Sequence, residues 1–267
     1  MLPIKFQYNI DYVVKKTGEN MNYIRGLFAV SALLLAGQVQ AASLNIDPKN
    51  LGQPLFNALS DDLAAATWMT PSNSAESHSA GFIPVGIQAA IEITGLSIDP
   101  NAPHWALAGA NGLPSRLPIP RLRISAGIPF GLDVGYMVTS IPNSNVKITG
   151  YEGRMAFGNY IPVPMLEANI RIHQSSLTGV KNMEIKNSGF AVMAGMNLPI
   201  VNPYIEFGRV TSTSTPSGVL SPLAVHETTN NTMAVGAKVE LALFIINLEK
   251  SKVGDKDLMS LKLGFEF

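Results

Sequence analysis

Fifteen ionisable side chains fall on a single parity of short alternating segments. They are Glu92, Arg121, Arg123, Asp133, Glu152, Arg154, Glu167, Arg171, His173, Glu206, Lys238, Glu240, Glu249, Lys262 and Glu266. Eight are acids, six are bases and one is a histidine. The residues between and beside them are apolar: Leu122 and Ile124 flank Arg123, Ile170 and Ile172 flank Arg171, and Leu261 and Leu263 flank Lys262. Successive side chains of a β-strand point to opposite faces, so each such segment carries one charged face and one apolar face. Charges of both signs confined on one side of a sheet should pair, because an unpaired buried charge is costly. The set then fits either a salt-bridged filling that gives rigidity or the lining of a narrow polar pore. Its near balance of sign disfavours a strongly ion-selective channel, which would carry one sign.

Other chemistry has less to rest on. The histidines are His78, His104, His173 and His226. His104 and His226 are expected in loops, and His226-Glu227 with nearby serines could be drawn into a hydrolytic site at a barrel rim. No spacing marks a nucleophile elbow, a metal-binding helix or a paired-aspartate motif, and no glycine-rich phosphate loop is present. The expectation is a non-enzyme with no cofactor and no metal. The chain has no cysteine, which excludes disulfides, thiolate metal sites and cysteine nucleophiles. With 19 basic and 19 acidic residues its net charge is zero, so a nucleic-acid partner is not expected.

The elements that must position the charged set are strands. Alternation is visible around 85–94, 121–126, 132–139, 146–157, 166–173, 190–196, 204–208, 233–243, 246–249 and 258–267. This predicts an all-β fold, a single antiparallel transmembrane β-barrel of about ten strands, with eight or twelve left open. Each strand is near the 9–11 residues that a tilted membrane-crossing strand needs. A charge facing lipid costs about 2–4 kcal/mol near the bilayer midplane, so the fifteen side chains should face the lumen. Counting back from the last strand, connections at 254–257, 211–230, 174–188, 142–145 and 99–116 fall at one end. Those at 243–245, 197–203, 158–165 and 128–131 fall at the other. The first group holds the long loops, as the outer side of a bacterial barrel does. Arg209 breaks the parity of its strand and predicts a bulge or the strand's water-exposed end.

The N-terminal part reads differently. Residues 1–20 look like a mis-set start or an extension of a signal sequence, and residues 21–41 read as a signal peptide. Arg25 is its positive residue, Leu27–Ala36 its apolar stretch, and cleavage is placed after Ala41. Residues 42–80 form an N-terminal segment with a short amphipathic helix over 55–66, apolar at spacings of three and four, which should pack on or inside one end of the barrel over 81–267.

The last strand alternates Met259, Leu261, Leu263, Phe265 and Phe267 with polar partners and ends on an aromatic. It resembles the C-terminal signature of bacterial outer-membrane β-barrels, with Leu263, Phe265 and Phe267 as the assembly signal. That resemblance implies a Gram-negative outer-membrane location, with the lipid bilayer, the outer-membrane assembly machinery and periplasmic chaperones as partners. The stretch from Leu117 to Gly135, in which a Pro-Arg strand leads through Gly-Ile-Pro-Phe-Gly-Leu-Asp-Val-Gly, resembles a family of uncharacterised proteobacterial outer-membrane barrel proteins, a domain of unknown function. The family implies the barrel and transfers no catalytic or binding residues. The functional expectation is a structural barrel or a narrow porin-like pore for small solutes. The alternatives are a small barrel hydrolase and a hydrophobic-substrate transport barrel.

Overall fold

The computed structural model describes residues 46–78, 86–110, 112–140 and 146–267. The signal peptide, the segment before it and the turn read at 142–145 lie outside the described residues. Helix α1 spans Gln53–Thr67, three residues longer than its apolar spacing indicated. Pro54 sits in its first turn, where no amide donor is needed. Ten strands follow: β1 (Gly86–Ser97), β2 (Arg116–Ile128), β3 (Leu132–Ser140), β4 (Lys147–Ala156), β5 (Leu166–Thr178), β6 (Met183–Met196), β7 (Val201–Pro216), β8 (His226–Leu241), β9 (Phe244–Val253) and β10 (Lys256–Glu266). A one-and-a-half-turn helix, α2 (Pro103–Leu107), interrupts the β1–β2 connection.

Each strand pairs antiparallel with its sequence neighbours, and β1 pairs with β10 to close the barrel. The closing register sets Gln88 opposite Glu266 and Leu96 opposite Leu258. Ile87 and Phe267 add a last rung by exchanging two backbone hydrogen bonds of 3.0 and 2.9 Å. The end that carries Phe267, here the base, has the turns at 129–131, 157–165, 197–200 and 242–243. The opposite end, the far rim, has the connections at 98–115, 179–182, 217–225 and 254–255.

Two connections expected to be long are mostly strand. β5 runs to Thr178 and β6 starts at Met183, so 174–188 is a hairpin. β7 reaches Pro216 and β8 starts at His226, which shortens 211–230 to nine residues. The turn expected at 243–245 is Ala242–Leu243. At Arg209 there is no bulge: the register runs unbroken from Tyr204 to Ser214. Arg209 is exposed and marks the point where the outward face of β7 turns from apolar to polar.

That change recurs around the barrel. Toward the base the apolar side chains point outward, as in Leu122, Ile124 and Ile128 of β2, Phe190, Val192 and Met196 of β6, and Leu248 of β9. Toward the far rim they point inward, as in Leu117 and Ile119 of β2, Ile148 of β4, Leu177 of β5, Met183 and Ile185 of β6, Val210 of β7 and Val253 of β9. The lower part therefore wears an apolar belt. In β10 the outward apolar run from Met259 to Phe267 covers about 27 Å of strand at about 3.4 Å per residue. That is near the height of a lipid-facing band once strand tilt is allowed for. Phe130, Tyr160 and Phe267 stand exposed around the base, the position of an aromatic girdle. The upper part is built like a water-soluble barrel, polar outside and apolar inside. Its core is completed by α1, which buries Phe56, Leu59, Leu63 and Ala64–Ala66 against those inward residues.

Candidate functional site: the filled lumen

The lumen is occupied by the chain's own residues 46–78. α1 lies under the far rim, and from Trp68 the chain runs as irregular backbone, with bends and a positive φ at Ser72, down through the lumen to His78 at the base. Trp68, Met69, Thr70, Ser72, Asn73 and Ser74 are all buried.

At the far rim, two aspartates of α1 are the fixing points. Asp62 Oδ2 lies 2.9 Å from His104 Nε2 and accepts from Trp105 Nε1 at 3.1 Å, while its Oδ1 is 2.7 Å from Lys256 Nζ. Asp61 pairs with His226 Nε2 at 2.9 Å. Outside the belt, Lys181 donates to Asp47 at 3.0 Å, and this bond holds the Asp47 carboxyl below its ordinary range. The two rim histidines, expected in loops, are each paired with an aspartate of α1. His104 sits buried on α2, and His226 opens β8 with Asp61 as its partner while Glu227 faces outward and is exposed.

At mid-height, six side chains form an unbroken chain of alternating sign. Arg121 reaches Glu92 at 3.2 Å, Glu92 reaches Arg123 at 2.9 Å, and Arg123 reaches Glu152 at 3.3 Å. Arg171 then joins Glu152 at 2.7 Å to Glu206 at 3.3 Å. Alternation puts each of these on an inward position, and pairing across strands brings them level: Glu92 is opposite Arg121, and Arg154 is opposite both Asp133 and Arg171. The guanidinium groups also hold the central segment. Arg121 donates to Ala66 O at 2.9 Å, Arg123 to Thr70 O at 2.8 Å, and Arg171 to the carbonyls of Met69 and Thr70. A segment outside helix and sheet has no backbone ladder for its peptide groups, so such donors are what make its burial tolerable. Thr70 Oγ1 completes the layer by donating to Glu92 at 2.7 Å.

Near the base, His78 is the centre. Its Nδ1 lies 2.9 Å from Glu266 Oε1, and its Nε2 is 2.7 Å from Arg154 Nη2, 3.0 Å from Asn73 Nδ2 and 3.0 Å from Ser125 Oγ. A guanidinium cannot accept a proton, so Nε2 is the acceptor and Nδ1 carries the hydrogen toward Glu266. Asp133 pairs with Arg154 at 2.9 Å and accepts from the His78 amide at 3.1 Å. Lys238 gathers Glu76, Glu240 and Glu266 at 2.7, 2.6 and 3.3 Å.

All fifteen ionisable residues singled out in the sequence lie on the inward parity, Glu167, Glu240 and Glu266 being half-buried at the base. They do not form one cluster. His173 is buried, with no hydrogen-bond partner for either ring nitrogen among the described residues, and its ring lies 6.4 Å from that of Trp68. Lys262 donates to Gln88 at 2.8 Å, with no carboxylate within ion-pair distance among the described residues. Glu249 accepts from the Ser72 amide at 2.7 Å, and Tyr204 Oη lies 2.7 Å from the same oxygen. Sequence reasoning named His78 only as a histidine of the N-terminal segment and missed the rest of this half of the site: Asp61, Asp62, Thr70, Ser72, Asn73 and Glu76. One signal was present. The stretch after α1 carries Trp68 and Met69 and no charge before Glu76, which is unusual for an exposed loop.

No family model matches the chain, and no curated protein matches it. Among solved structures, similar ones include Ail, the attachment invasion locus protein of Yersinia pestis, at 11% identity over 68% of this chain and 97% of that one, with a TM-score of 0.31. The KdgM porin in complex with disordered oligogalacturonate is similar at 10% identity over 68% and 99%, with a TM-score of 0.35. The β domain of the Bordetella autotransporter BrkA is similar at 9% identity over 69% and 99%, with a TM-score of 0.43.

Proposed function

We propose that the protein is a Gram-negative outer-membrane β-barrel held shut by its own N-terminal segment, residues 46–78, with its base toward the periplasm. The apolar belt and the aromatics at the base support the membrane placement. The observation that carries the closed state is the mid-lumen layer, where three buried arginines bind the carbonyls of Ala66, Met69 and Thr70 while pairing with Glu92, Glu152 and Glu206. In this role the balanced charges bind and orient the plug and exclude solute. The rim histidines clamp α1 through Asp61 and Asp62, a structural and non-enzymatic duty. Assembly involves the outer-membrane machinery and periplasmic chaperones, with Leu263, Phe265 and Phe267 as the recognised end.

The test uses the absence of native cysteine. A Thr70→Cys variant, folded in lipid vesicles, should resist a membrane-impermeant maleimide and react only after heat unfolding, while Val219→Cys on the exposed far rim reacts at once. Vesicles holding the wild-type protein should not swell in arabinose. Prompt labelling at position 70 together with arabinose swelling would refute the plug.

A further inference from the structure

The apolar belt ends differently on its two sides. At the base, the turns at 129–131, 157–165, 197–200 and 242–243 contain no Asp, Glu, Lys or Arg. At the upper edge the first outward charges are cations, and they lie together. Arg209 is the next outward position after Phe207 on β7, and Lys250 and Lys252 follow Leu248 on β9; all three are exposed. β8 between them is uncharged there. The registers set Arg209 opposite Asn231, Lys252 opposite Met233 and Lys250 opposite Val235. A fourth cation reaches in from further round the barrel. Arg116, exposed at the start of β2, crosses over β1 at Gly95 and brings Nη1 to 3.9 Å from Met259 Sδ on β10, the residue opposite Lys250. Gly95 permits the crossing, because a Cβ there would meet Arg116 Cγ and Cδ at 2.7 Å.

Opposing charge is scarce around these four. Asp257 of β10 lies 3.9 Å from Lys252, both side chains being about half exposed. Arg209 donates a long bond of 3.4 Å to Asn231 Oδ1. Among the described residues, Arg116, Arg209 and Lys250 have no carboxylate within ion-pair distance. The corresponding edge of the other wall is uncharged, with Val138 on β3, Thr149 on β4, Gln174 on β5 and Ser188 on β6; Lys147 and Lys186 come only beyond it, nearer the far rim. Unneutralised cations standing together raise the local potential and draw an anion. Directly below them the surface is apolar, with Phe207, Met233 and Leu248 exposed. Directly above, β7 and β8 turn Thr211, Thr213, Thr229 and Asn231 outward. A ligand matching all three levels is apolar at one end, anionic in the middle and rich in hydroxyls beyond.

We propose that Arg209, Lys250, Lys252 and Arg116 bind the phosphate groups of an acylated glycolipid of the outer leaflet, with its acyl chains on Phe207, Met233 and Leu248 and its sugars toward Thr211 and Thr229. Guanidinium and ammonium groups donate to phosphate oxygens through charge-assisted bonds. Each cation at a membrane surface adds to the attraction for anionic headgroups. The proposal rests on the reading of a membrane-embedded barrel with its base toward the periplasm.

The experiment titrates the full-length protein in mild detergent with diphosphoryl lipid A and counts bound lipid by native mass spectrometry. Wild type should bind it at least about tenfold more tightly than the same lipid stripped of phosphate, and inorganic phosphate at equal concentration should not displace it. Arg209→Gln, Lys250→Gln and Lys252→Gln combined should weaken binding by on the order of a hundredfold. Lys147→Gln with Lys186→Gln, which removes two outward cations from the other wall, should leave it unchanged. All variants are first shown to be folded by heat-modifiable gel mobility. Equal affinity for the stripped lipid, an unchanged triple variant, or an equal loss in the control pair overturns the site. Displacement by inorganic phosphate overturns the lipid as its occupant. Carbonate washing of vesicles that hold the wild-type protein separates the two readings: release from the vesicles overturns the membrane placement and this site together, whereas embedded protein that fails the titration overturns the site alone.

Discussion

Arg171 is the residue on which the filled lumen depends most. It is fully buried and makes four contacts: Nε to Glu152, Nη1 to Glu206, and Nη2 to the carbonyls of Met69 and Thr70. In Arg171→Met, two of the four have substitutes. Glu152 keeps Arg123, and Thr70 O keeps the 2.8 Å bond from Arg123. Glu206 and Met69 O have none among the described residues, where Glu206 Oε2 is already without a partner, so the variant would bury a carboxylate that has lost its bond to Arg171. Two lost charge-assisted hydrogen bonds at about 1.5–3 kcal/mol each agree with the roughly 3–5 kcal/mol that follows removal of one member of a buried ion pair. Both tryptophans of the chain, Trp68 and Trp105, are fully buried around the plug and far rim. Tryptophan fluorescence during guanidinium unfolding in lipid vesicles therefore reports on the segment that Arg171 holds. Adding Glu206→Gln to Arg171→Met should recover about half of the loss, because an unpartnered amide costs less than an unpartnered carboxylate. A loss below about 1 kcal/mol, or no recovery in the double variant, would refute the view that this layer anchors the plug.

Two further outcomes bear on the barrel. Val192 is exposed at the middle of the outward face of β6, level with Ile170 and Phe207; Val192→Arg should destabilise the folded protein in bilayers by about 2–4 kcal/mol, and an effect under about 0.5 kcal/mol in bilayers would place this face in water. Deleting Phe267 removes two backbone hydrogen bonds with Ile87, worth about 1 kcal/mol each, so midpoints of unfolding should fall modestly while the yield of heat-modifiable protein in the outer membrane falls severalfold; normal yield would show that the terminal aromatic is not an assembly signal.

The barrel was legible where one rule governed a whole strand. Leu166–His173 and Met259–Phe267 lie in the belt, keep their large apolar residues outward, and read cleanly as strands. Reading failed where the rule inverts within a strand. In β6, Met183 and Ile185 are buried inside while Phe190 and Val192 are outside, and both pairs sit on alternating backbone. The apolar parity shifts by one between them, which looks like a loop to any test of constant alternation. β7 and β8 are harder still, because their far-rim ends pair threonine with threonine and serine with histidine, as in Thr211 opposite Thr229 and Ser214 opposite His226. The lumen charges were visible because parity alone selects them. Their partners in 68–78 were not, because an irregular segment inside a barrel has no periodicity of its own and takes its structure from the wall.

Plug and barrel specify each other, and β10 is where the two meet. Lys256 at its start binds Asp62 of α1, and Glu266 near its end binds His78, the last described residue of the plug, and Lys238 of β8. Between them Lys262 binds Gln88 on β1. The strand that closes the barrel is thus also the strand that touches the plug at both ends. Closing β1 on β10 around an empty lumen would leave Arg121, Arg123 and Arg171 without the carbonyls of Ala66, Met69 and Thr70, Asp133 without the His78 amide, and Lys256 without Asp62. Each of these charged groups exchanges water for a fixed partner when the plug is inside, so the filled barrel is the one its wall is built to bind. The inward apolar residues of the far rim act in the same direction. Leu117, Ile148, Leu177 and Ile185 would face water in an empty barrel and are covered by α1 when it is filled. A barrel built as an open pore would have polar residues at those positions. Here the sequence places leucine and isoleucine there, and the helix that covers them begins the segment that the arginines below hold fast.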